Sequence, residues 1–393
     1  MTPAARVQAA IECLDAILRG ASAERTLTAW ARRSRFAGSK DRAAVRDHVF
    51  DALRRLRSSA WLGGAGDVPP PAMDARGVMA GLLRGQGADP AALFDASRHG
   101  PARWDGPEPL PLEDAPAAVR ADLPDWAWTR LRAARPGDAG SVAAALRDRA
   151  GVHLRVNAAK TDRDAVVARL RRDGYDPRPG EASPCAVVLD PGTRGLADHD
   201  LHRTGHFEFQ DAGSQALVDR LPLAPADRVL DLCAGGGGKA LAMAARMPGT
   251  AIDVHDANPG RMADLPARAA RAGASLRIVD EPAAGAYDFV VADVPCSGSG
   301  AWRRQPEARW RLDEAAMDPL ARTQRAILAR ALHLVRPGGQ VAYMTCSAFS
   351  EENDAVVDGV GAEAVETLRW RCGPDGECDG FFLWVGQRAA ESA

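Results

Sequence analysis

Val229-Leu230-Asp231-Leu232-Cys233-Ala234-Gly235-Gly236-Gly237-Gly238-Lys239 reads as a short apolar strand, a glycine turn and the opening of a helix. Gly235-x-Gly237-x-x-Ala240 has the spacing of a nucleotide-binding loop, where glycines permit the tight turn and a close backbone approach to the ligand. Working outward, strand patterns are predicted at Arg228–Leu232, Ala251–His255, Ser275–Val279, Phe289–Ala292 and Gln340–Met344. Helices are predicted at 238–246, 259–272 and 314–335, the last stopped by Pro337-Gly338-Gly339. Strand and helix in alternation predict an α/β fold with a doubly wound, mostly parallel, Rossmann-like sheet. Ligands of such sheets bind beyond the carboxyl ends of the strands. The glycine loop, Asp256, Asp280, Asp293, Cys296 and Cys346 all fall there.

The loop alone serves several cofactors. Asp256 ends the next strand and can accept hydrogen bonds from the ribose of NAD or of S-adenosylmethionine. Asp231 discriminates, because Asp-x-x-x-Gly-x-Gly is the form the loop takes in methyltransferases; a turn that only packs strand on helix is the plainer alternative. Asp280 could face adenine or its ribose, or be a solvated loop acid. Asp293 precedes Val294-Pro295-Cys296, and Pro295 fixes the backbone so that acid and thiol keep a defined relation. Cys346 lies in Met344-Thr345-Cys346-Ser347, at the end of another strand. A single free cysteine is most often a small buried hydrophobe. Two thiols facing one cofactor pocket suit pyrimidine chemistry. Carbon 5 of a pyrimidine is a poor nucleophile until a thiolate adds at carbon 6. An acid near N3 then stabilises the adduct, and a base removes the carbon-5 proton so that the thiolate leaves. The pocket must favour the thiolate, since a free thiol has a pKa of ~8.5.

The 393 residues, 46% of them hydrophobic, suffice for two or three domains. Residues 1–115 carry helical spacing (Val7, Ala10, Ile11, Leu14; Val45, Val49, Leu53) and predict an all-helical domain. The proline-rich stretch 101–116 predicts a linker. Residues 116–210 predict a small α/β module, with a strand at Val152–Val156 and a helix at Asp162–Asp173 capped by Thr161. Residues 211–393 hold the cofactor fold. No run of ~18 apolar residues is present, so no membrane span is expected, and Met1–Gly20 lacks the apolar core of a secretory signal. Cysteines 13, 185, 233, 296, 346, 372 and 378 are scattered, which predicts free thiols, a cytoplasmic location and no metal site. The net charge of −2 does not mark a nucleic-acid binder. Residues 25–57, however, carry ten basic side chains against three acids, and residues 301–336 eight arginines against four acids. Such patches either neutralise phosphates or are solvated helix faces.

These motifs resemble the Sun family of RNA cytosine-C5 methyltransferases, which includes the bacterial small-subunit rRNA enzyme. The likeness covers residues from about 124 to about 385. It rests on Asp231–Lys239, Asp256–Met262, Asp293–Gly300 with Trp302–Trp310, Thr345-Cys346-Ser347 with Glu351-Glu352-Asn353, and Asp379–Phe382. Gly205–Gln215 looks like the family's entry into the catalytic domain. Ala234-Gly235-Gly236-Gly237-Gly238-Lys239 departs from the family's Ala-Pro-Gly-Gly-Lys, and Asp293-Val294-Pro295-Cys296 from its Asp-Ala-Pro-Cys; neither change removes a reactive group. Residues 1–100 resemble the NusB-like helical domain, chiefly in Ser39–Phe50. The resemblance implies that Cys346 is the nucleophile and that Cys296 assists proton removal. It implies that Cys233, Ala234, Gly235, Gly236, Gly237, Gly238, Lys239, Asp256, Asp280 and Asp293 contact S-adenosylmethionine, with Asp293 also near the target base. DNA enzymes use the Pro-Cys thiol as nucleophile, so the Thr-Cys motif argues for RNA. RNA, small-subunit rRNA first, is then the expected partner, bound by the helical domain and the small module, and a monomer is favoured. Two other functions remain open: an RNA-binding assembly factor on a decayed methyltransferase fold, and a nicotinamide-dependent oxidoreductase in which both thiols are idle.

Overall fold

The computed structural model describes residues 1–224, 227–370 and 377–390. Cys372, read above as no metal ligand, lies outside them. The chain folds into two compact units: Met1–Asp148 with Trp302–Glu314, and Arg149–Ala301 with Ala315–Ala393.

The first unit is helical. Helix Pro3–Leu18 begins where the Thr2 hydroxyl accepts from the Ala5 N–H at 3.2 Å and Pro3 takes a position that needs no donor. Helices Ala23–Arg33, Ser39–Arg54, Leu56–Leu62 and Ala75–Gly85 follow. Val7, Leu14, Val45, Val49 and Leu53 are buried in one core, as their helical spacing predicts. Leu56–Leu62 and Ala75–Gly85 touch through glycine: a Cβ on Gly81 would lie 1.8 Å from the Ser59 carbonyl oxygen. The proline-rich stretch lies against these helices, since the Pro111 carbonyl accepts from Trp61 Nε1 at 2.9 Å and that of Ala102 from Arg76 at 3.3 Å. Helices Ala117–Ala121, Asp125–Ala134 and Ala139–Arg147 also belong here, so position 115 falls inside the unit. Buried Asp122 ties them in by accepting from the Ser58 N–H at 2.9 Å and its hydroxyl at 2.8 Å. Trp302–Glu314 joins from far along the chain. Arg309, fully buried, donates to the carbonyls of Asp122 (3.2 Å) and Leu146 (2.8 Å). Arg303, Arg309, Arg54 and Arg57 are buried, so part of both basic patches is structural.

In the second unit a four-stranded antiparallel sheet has the order β2-β3-β1-β4, with β1 Val152–Val156, β2 Arg178–Pro179, β3 Ala186–Leu189 and β4 Phe207–Phe209. Its helix Arg163–Arg172 is capped by Asp162, not Thr161, through a 2.8 Å bond from the Ala165 N–H. The larger sheet has β5 Val229–Asp231, β6 Ile252–Val254, β7 Leu276–Ile278, β8 Tyr287–Asp293, β9 Val335–Thr345, β10 Ala362–Trp370 and β11 Phe381–Arg388. Their order is β10-β11-β9-β8-β5-β6-β7. Pairs β5–β6, β5–β8, β6–β7 and β8–β9 are parallel, and β11 runs antiparallel to both its neighbours. Chain order reverses direction across the sheet between β5 and β8, and such a switch point opens a crevice at the carboxyl ends. No helix among the described residues is long and apolar enough to cross a membrane.

Candidate active site

The crevice starts with the glycine loop. β5 ends at Asp231, and helix Gly238–Arg246 begins seven residues later. Gly235 (φ +51°) and Gly237 (φ +78°) occupy the left-handed region that disfavours side chains. A Cβ on Gly237 would lie 2.2 Å from Leu265 Cδ1, so both backbone and packing exclude one. Asp256, just beyond β6, holds the loop from outside: its Oδ2 accepts from the Gly235 N–H at 2.9 Å and from Arg261 at 3.0 Å. Its Oδ1 accepts from the Asn258 N–H at 2.9 Å. Asp231 is buried, and neither carboxylate oxygen makes a hydrogen bond of acceptable geometry. Burial first, then the charge of Asp293, push its pKa up to about 7. A buried carboxylate without donors is costly unless a ligand supplies them. Cys233 is half-buried, and burial followed by the Asp231 charge pushes its thiol up to about 12.

Two chemical pairs stand at the neighbouring strand ends. Lys239, on the first turn after the loop, donates to Asp293 Oδ2 at 2.6 Å. Burial works against the lysine charge, but the charge and hydrogen bond of Asp293, with the charge of Cys346, outweigh it and raise the lysine pKa. Cys296 Sγ and Cys346 Sγ lie 3.4 Å apart, both half-buried, in the loops after β8 and β9. The hydrogen bond to Cys346 is the largest influence on Cys296, burial the next, and together they push its pKa well up. Cys296 is therefore held toward its thiol form, in sulfur–sulfur contact with Cys346. Asp280 is exposed, two residues beyond β7. The structure thus joins Cys296 to Cys346, Lys239 to Asp293 and Gly235 to Asp256, while Asp280 has no hydrogen bond to the loop.

One group that sequence reasoning gave no role aligns the two thiol loops. Glu352 is fully buried between them. It accepts from the Ser297 N–H at 2.7 Å, the Ser297 hydroxyl at 2.5 Å, Gln324 Nε2 at 2.9 Å and the Ser347 hydroxyl. Ser297 follows Cys296 and Ser347 follows Cys346, so a single carboxylate sets both cysteine backbones. Asn353 adds a second tie by accepting from the Thr345 hydroxyl at 2.6 Å and donating to the Ser347 carbonyl at 3.0 Å. Gly300 closes the pair, its N–H donating to the Cys346 carbonyl at 2.9 Å. The available signal was a serine directly after each thiol and an acid a few residues past the second. Glu352→Ala should lower the unfolding free energy by about 3 kcal/mol, because it strands several buried donors at once. Denaturant unfolding checks this, and a loss under about 1 kcal/mol would mean that water replaces the carboxylate.

The strand order, the single reversed strand, the glycine loop and the thiol pair define a class I methyltransferase domain. Residues 218–367 match the family described as 16S rRNA methyltransferase RsmB/F, and residues 123–194 match its ferredoxin-like domain. Ribosomal RNA small subunit methyltransferase B of Xanthomonas campestris is 30% identical over 67% of this chain and 65% of its own length. The Mycobacterium tuberculosis protein named "Putative methyltransferase Rv1407" is 41% identical over 49% of this chain and 44% of its own length. The chain thus spans less than two thirds of either relative. The crystal structure of PH0851 has the same fold, with a TM-score of 0.77 at 20% identity over 99% of both chains. So does NSun6 from Pyrococcus horikoshii with SFG, with a TM-score of 0.62 at 16% identity over 68% of this chain and 99% of that one. Two stretches of the chain, residues 123–194 and 218–367, thus match the domains of the RsmB/F methyltransferase family.

Proposed function

We propose that this chain methylates carbon 5 of a cytosine in RNA, small-subunit rRNA first, using S-adenosylmethionine and a covalent adduct between Cys346 and carbon 6. The observation that carries the reading is the pair of thiols 3.4 Å apart beside the glycine loop. Neither an oxidoreductase nor a decayed assembly factor has a use for that pair. The rRNA methyltransferases among the relatives supply the substrate class. The helical unit, NusB-like in the reading above, and the four-stranded module would hold the RNA, in the cytoplasm and with the protein as a monomer.

The residues present fit S-adenosylmethionine. Asp231 offers two buried acceptors without partners, and Asp256 Oδ1 keeps acceptor capacity for a ribose hydroxyl beyond its one bond. The bare backbone of Gly235–Gly238, with Cys233, Ala234 and Asp280, would complete the contacts. When bound, the cofactor supplies an electrophilic methyl group. The rest falls to the protein. Cys346 as thiolate adds to carbon 6, and Asp293, fixed by Lys239, serves N3 of the adduct. After carbon 5 is methylated, Cys296 gives its own proton to water, takes the carbon-5 proton, and the sulfur–carbon bond to Cys346 breaks. Incorporation of labelled methyl into cellular RNA, followed by mapping, tests the reading; label at any position other than cytosine C5 would refute it.

A pH dependence follows from Asp231. Its folded pKa of about 7 lies above the ordinary 3.8. The stability it lends the ligand-free protein is therefore present at low pH and lost as pH rises through about 7. If the ionised carboxylate takes the cofactor's donors, affinity should rise toward about pH 7, by up to tenfold per unit, and Asp231→Asn should flatten that rise. Calorimetric titration from about pH 5 to about pH 7 decides it; parallel curves for parent and variant would remove Asp231 from the cofactor site.

A further inference from the structure

We propose that the turn between helices Ala23–Arg33 and Ser39–Arg54 docks an unpaired nucleotide of RNA, with the Phe36 ring as the stacking platform for its base and Arg32, Arg33, Arg35, Lys40 and Arg42 as contacts to the flanking phosphates. This rests on the reading of the chain as an enzyme acting on RNA.

Phe36 is 76% exposed, more than any other large hydrophobic side chain among the described residues. The Ala37 N–H donates to the Ser34 carbonyl at 3.0 Å, so Arg35 and Phe36 are the two central residues of a tight turn. Glycine, asparagine, aspartate and proline are the usual occupants there, and a solvated phenyl ring contributes nothing to the fold. The five cations around it are all exposed, and none pairs with a carboxylate among the described residues. Asp41 is the one acid between positions 32 and 42, and it is already engaged. The Met1 amino group bonds it at 3.2 Å and Arg6 at 2.8 Å. Of the other basic side chains of this region, Arg46 is spent on Glu24 at 2.5 Å, Arg54 on Asp51 at 3.0 Å, and Arg57 on Asp67 at 2.5 Å and Asp125 at 2.8 Å, while Arg25 is exposed. Free positive charge is thus concentrated where the aromatic ring is bare. Aromatic stacking between cations is how single-stranded nucleic acid is held without sequence preference. A duplex hides its base faces, so the ring selects loops, bulges and ends.

The test uses the full chain and two labelled RNAs of equal length: a hairpin with an unpaired loop and a blunt duplex. Phe36→Ala should weaken hairpin binding by about tenfold, the scale of one stacking contact, and leave duplex binding unchanged. Phe36→Trp should restore the affinity, with its emission quenched on hairpin addition. Arg32→Glu, Arg33→Glu and Arg35→Glu together should weaken both RNAs and flatten the salt dependence. Equal hairpin affinities for parent and Phe36→Ala, or equal losses on both RNAs, would overturn the stacking contact. A triple variant indistinguishable from the parent would overturn the surface as a whole. Methyl incorporation by the parent tests the RNA-methylation reading separately, so either can fail alone.

Discussion

Cys346→Ala should reduce methyl transfer by on the order of 10⁴-fold or more while cofactor affinity stays at the parental value. In the proposed mechanism the addition at carbon 6 has no substitute: without it carbon 5 of cytosine stays a poor nucleophile, however well the methyl donor is placed. Removal of a half-buried sulfur should cost stability only about 1 kcal/mol, so a dead variant would still be folded. The two thiols are not equivalent. The bond to Cys346 and burial hold Cys296 toward its thiol form, which suits it less to open the reaction as the nucleophile. Single-turnover assays with calorimetry separate the steps. Substantial turnover by Cys346→Ala, paired with a dead and adduct-free Cys296→Ala, would exchange the two roles.

Sequence reasoning located the β5–β9 core because each strand carries its own short apolar run followed by a turn and a helical pattern. The site was legible for the same reason: in a doubly wound sheet, strand ends share one edge, so motifs far apart in sequence meet. It missed β10 and β11. Phe381–Val385 of β11 is buried throughout, so it shows no alternation, and its antiparallel insertion between β9 and β10 breaks the strand–helix rhythm. Helix 259–272 proved to be a short 3-10 turn at Pro259–Met262 and a helix at Leu265–Ala272. Pro266 at the start of the second piece suits a first turn and not a helix interior. Net charge also misled locally. Arg303 and Arg309 look like phosphate ligands in sequence, yet both are buried, and Arg309 satisfies carbonyls at the ends of two helices. Nothing in a charge count distinguishes an arginine that caps backbone from one that faces solvent. Glu352 stood in a quoted motif, but its role was hidden, since its partners Ser297, Gln324 and Ser347 come from three separate segments that only the fold brings together.

Cys296→Ala should trap the reaction after addition. If Cys296 accepts the carbon-5 proton, its loss removes the step that precedes breakage of the bond between Cys346 and carbon 6, and the methylated base stays attached to the protein. Labelled RNA should then run as a shifted, denaturation-resistant band, with turnover reduced by about 10²- to 10⁴-fold, the usual worth of a positioned acid–base group. The geometry makes the alternative concrete. Cys296 and Cys346 are in sulfur–sulfur contact, so Cys296→Ala also removes the hydrogen bond between the two sulfurs; if that contact is all Cys296 provides, its loss would slow addition and give less adduct, not more. Adduct yield therefore separates a base from a mere hydrogen-bond partner. A band in Cys296→Ala that disappears when Cys346→Ala is added fits the base. No band, or an equal band in the double variant, would break the assignment of both thiols.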